Sequence, residues 1–274
     1  MNVPSWLKTI AFCQIAALAS VSCSAQDGTW KKTGVSAHIN APAPTQDKQE
    51  NVGALPQPGE YVTNSGWGRL LVSQLEGNSA SFNIQSVNGE DVCDLSGKII
   101  NGNGIAIDDS SKTSCVIKFT ESDGDINIST GTQEECKHFC GWNGGFEGTY
   151  TKVSEGCRSE KIEFARREFK QLYDQKQYKS ALSKLSPVLD NCSSLLDWEE
   201  VGGVRNDIAI AQHKAGLNSS CLKTLEPYAE DAKKDDGEVV ESWPPALSDR
   251  YLAIIKASRT NIRLCSDNVA RSAA

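Results

Sequence analysis

Residues 136–157 read CKHFCGWNGGFEGTYTKVSEGC, and the fold turns on this stretch. Upstream of it apolar residues recur at every second position; downstream they recur at every third and fourth. The stretch itself carries Cys136, Cys140 and Cys157, the tryptophan Trp142 on a Gly-rich turn, and the turn signal Asn143-Gly144-Gly145. It closes a half built of strands and opens a half built of helices.

Working back from Lys152 to Glu60, the alternation is that of strands buried on one side. Ala80, Phe82 and Ile84 share a face, as do Cys115, Ile117 and Phe119, and Ile126 with Ile128. Arg69 to Leu75 is apolar on both faces and reads as a more deeply buried strand. Turn signals separate these runs at Glu76-Gly77-Asn78, Asn88-Gly89, Asn101-Gly102-Asn103-Gly104 and Asp123-Gly124. Asn-Gly and Asp-Gly accept the positive φ that tight hairpins need. Seven or eight short strands at hairpin spacing predict an antiparallel barrel or sandwich over residues 60–152.

Working forward from Cys157, Ile162, Ala165, Phe169, Leu172 and Tyr173 form one helical stripe, and Tyr178, Ala181, Leu182, Leu185 and Val188 a second. The break at Asp174 to Gln177 makes these helices antiparallel neighbours. A second pair is expected from Ser194, whose Asp197 three residues on suggests a capping box, through Gly216-Leu217-Asn218 to Ala229. A fifth helix is expected from Pro244-Pro245, with Leu247, Tyr251, Ile254, Ile255 and Ile262 inward. The class is therefore α+β in two domains: the antiparallel β-domain, then an all-α domain over 153–265 and a short tail at 266–274. The change of period predicts two separately folded units divided near Val153 to Arg158.

Two segments of the helical half resemble tetratricopeptide-repeat hairpins. Leu172-Tyr173-Asp174-Gln175-Lys176-Gln177-Tyr178-Lys179-Ser180-Ala181-Leu182 is similar to the core of that repeat, with Ala181 at the small position where the helices cross. His213-Lys214-Ala215-Gly216-Leu217-Asn218-Ser219-Ser220-Cys221-Leu222 is similar to a second copy, with Cys221 in that place. The offset of 40 residues exceeds the family's 34, and Gly202-Gly203 interrupts the intervening helix. The resemblance implies helical hairpins whose concave groove binds peptides or proteins and is not catalytic; a simple helical bundle is the alternative.

The first 25 residues read as a signal peptide: Lys8 gives the positive end, Ile10 to Val21 the apolar core, and Ser22-Cys23-Ser24-Ala25 the small residues before cleavage. A rival reading lipidates Cys23, but Ser20 stands where that signal wants Leu, Val or Ile. No later run is long and apolar enough for a membrane span. Residues 26–59, with Pro42, Pro44, Pro56 and Pro58, read as a linker; Trp30 with Lys31 and Lys32 is a minor docking motif or plain tail. An exported, periplasmic or secreted protein is expected. Of the ten cysteines, removing Cys13 and Cys23 leaves Cys93, Cys115, Cys136, Cys140, Cys157, Cys192, Cys221 and Cys265. An even number in an exported chain reads as disulfides. A Cys93–Cys115 bridge would staple neighbouring strands, and Cys136–Cys140 would close a small loop. A metal at Cys136-x-His138-x-Cys140 lacks a second ligand pair, so no metal or cofactor is expected.

The formal charge is −7; without Lys8 the mature chain has 27 basic against 35 acidic residues, or −8. That balance disfavours nucleic acid, which needs clustered Lys and Arg, and suits a basic protein partner. The histidines are only His38, His138 and His213, and nucleophile elbows, zinc-protease motifs and phosphate loops are all lacking. The expectation is a non-enzymatic protein binder. Its contact residues are the turn tryptophans Trp67 and Trp142 with the neighbouring acids Glu134 and Glu135; Trp142 capping the barrel is the competing reading. The acidic run Glu226 to Glu241 is a solvated helix end or a lure for a basic partner. The β-domain is similar in plan to periplasmic lysozyme inhibitors, which makes inhibition of a cell-wall hydrolase the most concrete form of that function. A helical scaffold for envelope assembly is the alternative.

Overall fold

The computed structural model describes residues 55–74, 79–108 and 112–273. The expected signal peptide, Cys23, the linker up to residue 54 and the Glu76-Gly77-Asn78 turn lie outside the described residues. Eight antiparallel strands form a closed barrel in simple meander order: β1 (Gly59–Thr63), β2 (Gly68–Gln74), β3 (Ser79–Asn88), β4 (Asp91–Ile100), β5 (Asn103–Asp108), β6 (Thr113–Ser122), β7 (Asp125–Thr130) and β8 (Gly148–Lys152). Closure is by β1 on β8, with Val62 opposite Thr151. Closing the sheet leaves no free edge for another strand to extend.

Alternation fills the interior. Tyr61, Leu70, Phe82, Ile84, Leu95, Ile99, Ile117, Phe119, Ile126 and Tyr150 point inward and are buried together. Phe82 and Phe119 meet with ring centroids 5.3 Å apart. β2 departs from the expectation of a strand buried on both faces: Leu70 and Val72 face the core, but Leu71 is 50% exposed. Its outer face simply carries an apolar residue.

The disulfides correct the pairing that spacing suggested. β5 stands between β4 and β6, so Cys93 and Cys115 lie two strands apart, roughly 10 Å and beyond disulfide reach. Instead Cys93 joins Cys140 and Cys115 joins Cys136. In the helical half Cys157 joins Cys192 and Cys221 joins Cys265. Four disulfides point to an oxidising, exported environment.

The helical half comprises α2 (Ser159–Asp174), α3 (Tyr178–Cys192), α4 (Trp198–Lys214), α5 (Asn218–Thr224), α6 (Asp236–Glu241) and α7 (Pro245–Ala273), with a short α1 (Gln133–Cys136) still inside the barrel half. α7 continues through the residues expected to form a tail. The N-cap of α4 is Asp197, not Ser194: its side chain accepts from the Glu200 N–H at 2.7 Å, and Glu200 returns the capping box. Gly202 permits the approach of α7, because a Cβ there would stand 2.6 Å from Ile254 Cδ1. Asn206 and Asn261 link α4 to α7 in a fully hydrogen-bonded buried network with Ser258. The α2–α3 and α4–α5 turns repeat one another. Gln177 N–H donates to Leu172 O and Leu217 N–H to Gln212 O, at 2.9 and 2.8 Å. The left-handed position is Lys176 in the first turn and Gly216 in the second.

The seam between barrel and helices is made by β1 and β2. Val62 is buried in the same apolar cluster as Ile162, Leu185 and Leu196. The Glu60 carboxylate accepts from Arg69 and from the Ser159 hydroxyl and N–H at the start of α2, where the helix dipole favours an anion. Gly66, at φ +68°, lies where a Cβ would collide with the Leu196 backbone at 2.5 Å.

Candidate functional site at one end of the barrel

Strands β2, β4, β6 and β8 begin at one end of the barrel, and residues 131–147 cross that end between β7 and β8. The crossing segment is fastened step by step. The Thr132 hydroxyl accepts from Val116 N–H at 2.9 Å. Cys136 then ties α1 to β6 through Cys115, and Cys140 ties the next turn to β4 through Cys93. Beyond Cys140, Gly141 N–H donates to Val92 O at 3.1 Å and Gly144 N–H to Gly141 O at 2.9 Å. Asn143 N–H donates to Asp91 Oδ2 at 3.2 Å, and the Asn88 amide to Asn143 O at 2.9 Å. Phe146 then drops into the core, its carbonyl accepting from the Tyr150 hydroxyl at 2.7 Å. Burial pushes the Tyr150 phenol well above its usual pKa, which keeps it a neutral donor.

Trp142 sits between these fastenings and is 97% exposed. The barrel-cap reading is therefore wrong for Trp142 and right for its counterpart. Trp67 is half-buried, edge-on to Tyr150 with centroids 6.1 Å apart, and its carbonyl accepts from Val87 N–H at 2.8 Å. Both tryptophans lie at the same barrel end, but of the two only Trp142 leaves its ring in solvent. Glu134 and Glu135 on α1 are exposed at this end too; Glu134 pairs with Lys137 at 2.9 Å.

Sequence reasoning marked the β3–β4 turn at Asn88-Gly89 but missed its place in this site. Val87 and Val92 are register partners at the hairpin tip, 48% and 52% exposed. They adjoin the Trp142 loop through the Val92 and Asp91 hydrogen bonds. Their outward phase in the alternation was readable, but which loop lands beside them was not. Glu90, Asp91 and Asp94 on the same hairpin add negative charge.

Comparison with known protein families, known proteins and solved structures found no match to this chain.

Other residues singled out from sequence have structural roles. Cys136 and Cys140, flanking His138, are both oxidised, and no group of three or more metal-binding side chains occurs among the described residues. The acidic run is largely occupied within the chain. Asp231 pairs with Lys234 at 2.6 Å and accepts from the Tyr251 hydroxyl; Asp236 pairs with Lys256 at 2.9 Å and with Arg259. Hydrogen bonds from Lys234 and Tyr251 hold Asp231 below the usual carboxylate range, and those from Arg259 and Lys256 do the same for Asp236. Among the described residues no helix is long and apolar enough to cross a membrane.

Proposed function

We propose that this is an exported, non-enzymatic protein-binding protein whose contact surface is the barrel end carrying Trp142. The observation that carries the reading is a bare tryptophan on a loop braced by a disulfide and by hydrogen bonds to β3 and β4. A large apolar ring held in water is unfavourable in isolation and supplies affinity when a partner covers it. Bracing reduces the ordering cost of association. The carboxylates of Glu90, Asp94, Glu134 and Glu135 around it favour a basic partner.

A basic cell-wall hydrolase such as lysozyme is the most concrete candidate, and the protein would act by covering its cleft. Titration against lysozyme with an activity readout tests this. The intact protein should inhibit stoichiometrically, and Trp142→Ala should weaken binding about thirtyfold, the equivalent of about 2 kcal/mol. Glu134→Lys with Glu135→Lys should mainly slow association and lessen its salt dependence. Undiminished affinity in Trp142→Ala would remove the site.

The second reading places the contact on tetratricopeptide-like hairpins. It is supported by the matching α2–α3 and α4–α5 turns and by Ala181 and Cys221, both wholly buried at equivalent positions. A partner retained by Trp142→Ala but lost on altering Tyr178 and Lys179, which line the hollow between those turns, would favour it.

A further inference from the structure

The outer face of β4, β5 and β6 bears a second surface, independent of the Trp142 end. Ile100, Ile105 and Ile107 point outward and are 51%, 43% and 60% exposed. The register sets Lys98 opposite Ile105, Ile105 opposite Val116, and Lys118 opposite Asn103. The result is an apolar patch with a lysine on either side. Both lysines are exposed, and among the described residues neither is paired with a carboxylate. No carboxylate occurs on this face between Ser96 and Ile100, Asn103 and Ile107, or Ser114 and Lys118. On a chain of charge −7 a stretch that bears two lysines and no carboxylate runs against the average; the next outward carboxylate on β4 is Asp94, towards the Trp142 end.

The helices contact the barrel through β1 and β2 and leave this face uncovered. It is the convex outside of a closed barrel, so it offers neither a groove for a helix nor an edge for a strand. A flat, anionic and deformable surface fits it: isoleucines enter the headgroup boundary while lysines meet lipid phosphates. We propose that the Lys98–Ile105–Lys118 face binds the surface of an anionic lipid bilayer. Four disulfides place the chain in an oxidising, exported environment, which membranes border.

The test is co-sedimentation of the mature chain, from Gln26 onward, with vesicles of phosphatidylcholine alone or enriched in phosphatidylglycerol, at low and high salt. Binding is expected only to the phosphatidylglycerol vesicles and should fall as salt rises. Lys98→Gln and Lys118→Gln should each weaken it about fivefold, the value of one charge near an anionic surface. Ile105→Thr with Ile107→Thr should abolish it while keeping strand propensity. Should that variant misfold, the lysine variants decide alone. Absence of binding to phosphatidylglycerol vesicles would overturn the proposal, as would binding unchanged by the lysine substitutions. So would loss of a self-associated species in the isoleucine variant without any lipid effect, which would make the face a contact between two copies.

Discussion

Trp67 and Trp142 each stand beside glycines in a turn, and their fates differ because of what lies far away in the chain. Trp67 finds Tyr150 and the backbone of Val87; Trp142 finds solvent. Trp142→Ala should therefore leave the melting temperature unchanged, whereas Trp67→Ala should lower stability by about 2 kcal/mol, less than a fully buried tryptophan would cost. Thermal unfolding of the two variants checks both outcomes together. The local sequence marked both turns correctly, because Gly-Trp-Asn-Gly-Gly and Ser-Gly-Trp-Gly report backbone conformation. It was silent on exposure, which depends on partners about eighty residues distant in one case and missing in the other. Glu134 and Glu135 were legible as exposed for the simpler reason that adjacent carboxylates favour water.

Among the elements, α4 gives the sharpest test. Gly202 and Gly203 are neighbours in sequence and opposites in surroundings: a Cβ at Gly202 meets Ile254 at 2.6 Å, and one at Gly203 meets nothing within 4 Å. Gly203→Ala should stabilise the protein by about 1 kcal/mol, the helix-propensity gain. Gly202→Ala should destabilise it by about 1–3 kcal/mol despite the same gain, since the packed Ile254 must move. Chemical denaturation with both variants measures the difference. The pair looked only like a helix defect in sequence, because close packing is a property of α4 and α7 together. Strand β5 shows the same limit. Its turn residues at Asn101 to Gly104 were plain, but counting one hairpin where the chain makes two put Cys93 beside Cys115. Peptide mapping checks the corrected pairing: trypsin cuts at Lys98, Lys118 and Lys137, separating the four barrel cysteines. The unreduced digest should link the Cys93 and Cys140 peptides and the Cys115 and Cys136 peptides; a Cys93–Cys115 link would refute the barrel order.

At the scale of the whole molecule, period alone divided strands from helices at the right place, since Lys152 ends β8 and Ser159 begins α2. What the period could not reveal is that Val62 faces outward into the helical core, or that Glu60 caps α2 across the seam. An outward valine and a strand-end glutamate have no sequence signature of their own. The seam predicts coupled unfolding of barrel and helices under non-reducing conditions, seen as one calorimetric transition with matching van't Hoff enthalpy. Glu60→Ala should cost about 1–3 kcal/mol by leaving the Ser159 N–H and Arg69 without their acceptor, and should bring the two halves' transitions apart.

The central claim is that the Trp142 end is where a protein partner sits, and hydrogen exchange of the full chain with and without excess lysozyme tests it most directly. The account predicts added protection confined to residues 87–94 and 140–145, the hairpin tip and the braced loop, with the helical half unchanged. Protection at residues 175–182 and 215–222 instead, or none anywhere in the chain, would contradict it.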